Sequence, residues 1–287
     1  MFNAAKKTIL ITGASDGVGK ETATMLARQG HTLIIHGRDP QKSRAALEEI
    51  KMLSGNTDVH LFMADFLSFA SVRAFAEEIK RSFSHLDVLI NNAGAQFSDT
   101  RQETEDGHEK TMVINVFSPL LLTSLLLDLL KKSPSARVVT VSSDSHKMAK
   151  PDLNDIELTR GYSMARAYAN SKLYIIWGMN HFCSELQKSG VTNISFNCVH
   201  PGSTQSSLGR EASKSLKWKI IYFLWRVMMI PVEKAAASSI YAATAPEISG
   251  LSGKYYGPKG EEKPSSRYYS AENEQKIWEY AQSVISG

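Results

Sequence analysis

Thr8-Ile9-Leu10-Ile11-Thr12-Gly13-Ala14-Ser15-Asp16-Gly17-Val18-Gly19-Lys20 joins a short apolar run to a glycine-rich turn, and a helical pattern follows at once. The run reads as a buried strand because it is short, β-branched and ends in glycine punctuation. Glycines at Gly13, Gly17 and Gly19 permit a tight turn and a close approach of backbone to ligand. The helix that follows offers unpaired N–H groups to a pyrophosphate. A glycine-rich turn alone is equally well a piece of loop punctuation. Between the first strand and first helix of a βαβ unit it becomes a candidate phosphate site, with Gly13, Ser15, Asp16, Gly17, Val18 and Gly19 as its contacts.

Outward from this turn, Val/Ile/Leu-rich runs recur at 32–36, 59–64, 88–91, 137–142 and 193–199, and 253–256 offers an edge strand. Helical patterns fall between them, at 17–29, 41–53, 68–84, 103–131, 162–189, 232–245 and 271–285. Strands this apolar throughout need cover on both faces, so the alternation predicts an α/β, doubly wound, mostly parallel seven-stranded sheet of the Rossmann type. The 287 residues are expected to form a single domain, 1–287, with a variable segment at about 202–231 inserted over the site.

Composition narrows the function classes. Hydrophobic residues are 43% and charged residues 22%, as in a folded globular protein. A net charge of +4 without a dense Lys/Arg stripe argues against nucleic acid as partner. Cys183 and Cys198 have no metal-ligand spacing, so no metal site is expected. The amino terminus lacks the apolar stretch of a signal peptide, and no run of about 18 apolar residues predicts a membrane span. A cytoplasmic protein, with or without peripheral membrane attachment, is the expectation.

The second strand ends in His36-Gly37-Arg38-Asp39, where dinucleotide folds read the adenosine ribose. Gly37 opens space and Arg38 offers a planar fork for a 2′-phosphate, which favours NADP(H) over NAD(H). Two observations compete with this: Arg38 could simply face solvent, and the carboxylates of Asp16 and Asp39 would repel a phosphate.

Tyr168 and Lys172 stand four residues apart, on one face of a helix and one turn from each other. A tyrosine with an ordinary pKa of about 10 is a poor base near neutrality. A cation about 4 Å away, at an effective dielectric of about 20, favours the phenolate by about 4 kcal/mol before desolvation. Taken alone, the pair also fits an amphipathic helix with a solvated lysine.

Together these segments resemble the short-chain dehydrogenase/reductase family over almost the whole chain. The motifs follow the family order: Thr12 to Gly19, Asn91-Asn92-Ala93-Gly94, Asn115, Ser142-Ser143, Tyr168 to Lys172, and His200-Pro201-Gly202. Within the family, Arg38-Asp39, Ser171-Lys172-Leu173 and His200 to Ser206 are most similar to the retinol dehydrogenase-like group, which includes WW-domain oxidoreductases.

The resemblance implies an NAD(P)-dependent enzyme with Asn115, Ser143, Tyr168 and Lys172 as catalytic residues. Tyr168 would exchange a proton with the substrate oxygen while Ser143 holds that oxygen. Lys172 would favour the phenolate and hold the nicotinamide ribose. Asn91, Ala93 and Gly94 would let the backbone approach the cofactor, and Asp65 would accept from the adenine amino group, although a turn or N-cap role fits Asp65 equally. Pro201, Gly202, Thr204 and Ser206 would surround the nicotinamide and pyrophosphate.

From Leu216 to Pro231 the chain is aromatic and apolar with three basic residues. Substrate lid, interfacial membrane helix and core-packing helix all fit this stretch. A lipophilic carbonyl or alcohol, of retinoid, steroid or fatty-aldehyde type, is the expected substrate. Nonenzymatic dinucleotide sensing and membrane-peripheral regulation on the same fold are the alternatives. The helices around 120–130 and 174–186 are long and apolar, and the resemblance implies that they could pair in a homodimer or tetramer, although monomers also occur in the family.

Overall fold

Strands β1 (Thr8–Ile11), β2 (Thr32–Gly37), β3 (Val59–Met63), β4 (Val88–Asn91), β5 (Ala136–Val141), β6 (Ile194–Val199), β7 (Tyr255–Gly257) and β8 (Gly260–Glu262) form one sheet in a computed structural model. The structure describes residues 5–202 and 230–286. The strand order is β3-β2-β1-β4-β5-β6-β7-β8. Every pairing is parallel except the β7–β8 hairpin. That hairpin is the difference from the expected seven strands. Its second strand is only Gly260-Glu261-Glu262, too short and too acidic to show an apolar strand pattern.

Alternation along the strands divides the core in two. Leu10, Ile34, Leu89, Val138 and Phe196 join one buried apolar cluster, whereas Ile9, Ile11, Leu33, Ile35, Val88, Ile90 and Val139 join the other. Successive side chains point to opposite faces, so a strand apolar at every position is stable only with helices on both sides. Each aliphatic side chain fully buried this way contributes roughly 1.5–3 kcal/mol.

The helices are α1 (Gly17–Arg28), α2 (Pro40–Ser54), α3 (Phe69–Ser82), α4 (Lys110–Met112), α5 (Ser118–Leu125), α6 (Leu127–Lys131), α7 (Met164–Lys188), α8 (Val232–Thr244) and α9 (Ala271–Ile285). A π-helical turn, Val113–Phe117, links α4 to α5. The helix expected over 103–131 thus starts seven residues later and changes its winding. Gly107, with φ +81°, breaks the preceding segment into a turn. Glu109 then caps α4 by accepting from the Met112 amide at 2.8 Å, a role unusual for glutamate and hard to foresee.

The chain runs from β1 to β2 and β3 on one side of the sheet and then crosses to β4 on the other side of β1, so the direction of winding switches between β1 and β4. Their carboxyl ends therefore frame a crevice, the place where doubly wound sheets bind ligands. Among the described residues no helix is long and apolar enough to cross a membrane. Cys183 and Cys198 are free and buried. The stretch 216–231 lies outside the described residues except for its last two.

Gly37 fixes how closely α2 approaches the crevice. A Cβ there would lie 2.0 Å from Ser43 Oγ and 2.9 Å from Ser43 Cβ. Gly37→Ala is expected to lower stability by about 1–3 kcal/mol, read as the urea midpoint. Adding Ser43→Ala should recover part of that loss, because it removes the nearer atom. No recovery would mean that the clash is not the cause.

Candidate active site

A cleft of about 360 Å³ opens at the β1/β4 crevice, floored by Gly13 to Gly19 and bounded by Gly37, Arg38, Lys42, Asp65 and the 92–97 loop. Its two sides are fastened to each other. The Thr12 hydroxyl accepts from the amides of Asn92 and Ala93, both at 2.9 Å, and Asn92 Nδ2 donates to Thr12 O at 2.8 Å and Gly13 O at 3.1 Å. A Cβ on Gly13 would lie 2.9 Å from Ala93 Cα, so this contact requires glycine even apart from the φ of +65°.

The turn offers donors without acceptors. Asp16 caps α1, taking the Gly17 amide at 2.8 Å. Among the described residues the amides of Ser15, Val18 and Gly19 have no partner. Free N–H groups at a helix start, beside the cations of Arg38 and Lys42, fit a dinucleotide pyrophosphate. The carboxylates that threatened this fit have other work. Asp16 Oδ2 is 2.5 Å from Lys42 Nζ, and Asp39 caps α2 by accepting from the Lys42 amide at 2.8 Å. Arg38 is exposed and has no ion-pair partner among the described residues.

Asp65 lines the cleft while holding the following turn: its Oδ1 accepts from Leu67 N at 3.0 Å. The two readings of this residue are therefore compatible, since one carboxylate oxygen remains for a ligand.

His36, unassigned in the sequence, supports the turn from beneath. It is 4% exposed; its Nδ1 accepts from Gly13 N at 3.0 Å and its Nε2 donates to Ala64 O at 3.1 Å. That pattern requires the neutral ring, which stacks on Phe66. Burial pushes its pKa down to about 4.

For Asn91 the expectation concerned the backbone, and its side chain has a separate role. Its side chain is buried, with Nδ2 donating to Thr123 at 3.0 Å and Thr140 at 3.4 Å. It holds α5 and β5 instead of lining the cleft; strand alternation turns Asn91 into the core and leaves Asn92 at the crevice. Asn92 was the residue that sequence reading missed.

Deeper in, Lys172 is 4% exposed. Its ammonium lies 5.7 Å from the Tyr168 ring centroid and donates to Val141 O at 2.9 Å. The nitrogen is over the ring face, a different placement from the close contact that spacing alone suggested. Burial lowers the Lys172 pKa to about 8. The same nitrogen is 3.3 Å from where a Cβ on Gly94 would be, which puts the lysine against the inner end of the cleft.

Asn115, in the middle of the π turn, joins this group to the β4 loop. Its Nδ2 donates to Ala95 O at 2.9 Å and Ser171 Oγ at 3.1 Å, while its Oδ1 accepts from Ala95 N at 3.1 Å. Ser142 is buried and donates to Lys172 O at 2.7 Å; Ser143 is half-buried and accepts from Ser145 N at 3.2 Å. Gly202 has φ +74°, with its amide donating to His200 Nδ1 at 3.2 Å, and follows Pro201 in a tight turn. Neither lines the 360 Å³ cleft. Thr204 and Ser206 lie outside the described residues.

A doubly wound sheet with a cleft fitted to a dinucleotide at its switch point is the architecture of a dinucleotide-binding protein. A protein-family model described as short chain dehydrogenase matches residues 7–217, and the chain belongs to that family. Human retinol dehydrogenase 13 is 36% identical, with 95% of this chain and 82% of that protein aligned. Human retinol dehydrogenase 14 is 34% identical over 97% of this chain and 86% of its own length. Human polyprenol dehydrogenase is 34% identical, covering 95% and 83%. Among solved structures, an uncharacterized protein from Mycobacterium paratuberculosis has a TM-score of 0.77 at 28% identity, over 98% of this chain and 94% of that one. Pseudomonas aeruginosa RhlG, in a complex with NADP, has a TM-score of 0.68 at 25% identity, covering 89% and 96%.

The histidine beneath the turn gives a pH signature. Between pH 6.5 and about 4 the unfolded chain takes up a proton that folded His36 refuses, so stability falls as pH drops through this window. The full effect is about 3 kcal/mol, levelling off below the folded-state pKa. His36→Asn, followed by thermal unfolding from pH 7 to 4, should flatten the decline; an unaltered decline would exclude His36 as its source.

Proposed function

We propose that this chain is an NADP(H)-dependent oxidoreductase that interconverts a lipophilic carbonyl compound and its alcohol. The observation that carries the proposal is the buried Lys172 ammonium over the Tyr168 ring and against Gly94, a residue that lines the cleft. A buried cation is costly unless hydrogen bonds or charges compensate it, and a phenol beside it can give and retake a proton.

Gly94 and the neighbouring cleft residues would hold a nicotinamide dinucleotide, which would supply or accept the hydride. In reduction, Tyr168 donates its hydroxyl proton to the substrate oxygen; in oxidation the phenolate takes it back. Lys172 stabilises that phenolate, and its remaining N–H donors suit the ribose hydroxyls. Ser143 turns its hydroxyl proton to the substrate oxygen, while Asn115 keeps the β4 loop and α7 in register. The turn at Pro201 and Gly202 would hold the nicotinamide end. Arg38, exposed in the cleft without a carboxylate partner among the described residues, supports preference for a 2′-phosphate. The names of the retinol and polyprenol dehydrogenases support a lipophilic substrate.

Screening aldehydes, ketones, retinoids and steroids at the nicotinamide absorbance should show turnover with NADPH and slower turnover with NADH. Faster turnover with NADH would reject the cofactor preference. Tyr168→Phe should lose at least about a hundredfold in kcat while NADPH still binds, the usual loss for removing a general acid. Undiminished turnover in that variant would remove Tyr168 from the chemistry.

A further inference from the structure

We infer that Lys42 is a second cationic contact for the 2′-phosphate of NADP(H), and that Asp16 holds it at the cleft until the phosphate arrives. The inference rests on the NADP(H) reading above and extends it to a residue outside the family motifs quoted for this sequence.

Three independent features place the ammonium. Asp39 caps α2 through the Lys42 amide, so the lysine belongs to the helix's first turn and is fixed in position by that cap. Gly37 lets this turn approach the end of β2 closely, since Ser43 occupies the space a Cβ would need. Lys42 then reaches across to Asp16 Oδ2, and both residues line the cleft along with Arg38. The result is a pair of basic side chains on the rim where the adenosine ribose is expected, beside the amino end of α2.

The Asp16–Lys42 pair has the properties of an exchangeable contact. Their side chains are 32% and 39% exposed, so solvent screens the attraction and the pair is weak. A phosphate dianion carries more charge than a carboxylate and presents three acceptor oxygens, so it competes well for the same ammonium. Asp16 need not move in the exchange, because its other oxygen caps the Gly17 amide. Asp39 and Asp65 are the other acidic residues lining the cleft; Asp39 Oδ1 is committed to the cap of α2 and Asp65 Oδ1 to the Leu67 amide.

Calorimetric titration of the full chain with adenosine 2′,5′-bisphosphate and with 5′-AMP tests this without turnover. Lys42→Ala should weaken the bisphosphate about tenfold and 5′-AMP less than about twofold, the loss of one charge-assisted contact. Lys42→Arg should retain most of the preference. Asp16→Asn keeps an acceptor for Gly17 and should strengthen the bisphosphate, by more when Lys42 is present than in the Lys42→Ala background. Equal weakening of both nucleotides by Lys42→Ala, or the same Asp16→Asn effect in both backgrounds, overturns the inference. If the unmodified chain binds both nucleotides equally, the NADP(H) reading itself fails; if it prefers the bisphosphate and Lys42→Ala leaves that preference intact, only the role of Lys42 fails.

Discussion

An ammonium group removed from water is the constraint around which this molecule is arranged. Lys172 is 4% exposed, and burial has already brought its pKa down to about 8. Left without partners, such a group would lose its charge or unfold its surroundings. Here it has the Val141 carbonyl and the π face of Tyr168, and its other N–H donors point to a chemical task. The neighbouring elements keep it in place: Ser142 fastens the lysine's own carbonyl to the end of β5, and Asn115 joins α7 to the loop after β4.

The π turn at 113–117 stands beside this group, and within it Asn115 bonds both Ala95 and Ser171. Three segments distant in sequence are thus tied at one side chain. At the outer end of the cleft, Thr12 and Asn92 do the corresponding job for β1 and β4, and neutral His36 supports the turn between them.

Much of this architecture was legible in the residues. Strand alternation, glycine turns and the Tyr168–Lys172 spacing depend on short-range geometry, and the parallel sheet and the switch-point cleft follow from them. Features that depend on three-dimensional neighbours were not legible. Nothing local distinguishes Asn91 from Asn92 until strand register decides which one faces the core. Lys42 resembled any lysine in a helix's first turn until Asp16 was found opposite. The start of α4 was hidden because its cap is a buried glutamate, and β8 because its acidic triplet becomes a strand only by pairing with β7. Ser142 and Ser143 were separable by alternation, and the structure gives them different surroundings, one buried against α7 and the other half-exposed at the start of a turn.

The two sulfhydryls have a practical consequence. Cys183 and Cys198 are both buried, and burial raises the pKa of each, that of Cys198 to about 12. Since the thiolate is the reacting species, maleimide and iodoacetamide reagents should find almost no native target in the folded protein. A cysteine engineered onto an exposed helix could therefore carry a fluorescent or spin label at one defined place, with the natural thiols left as they are.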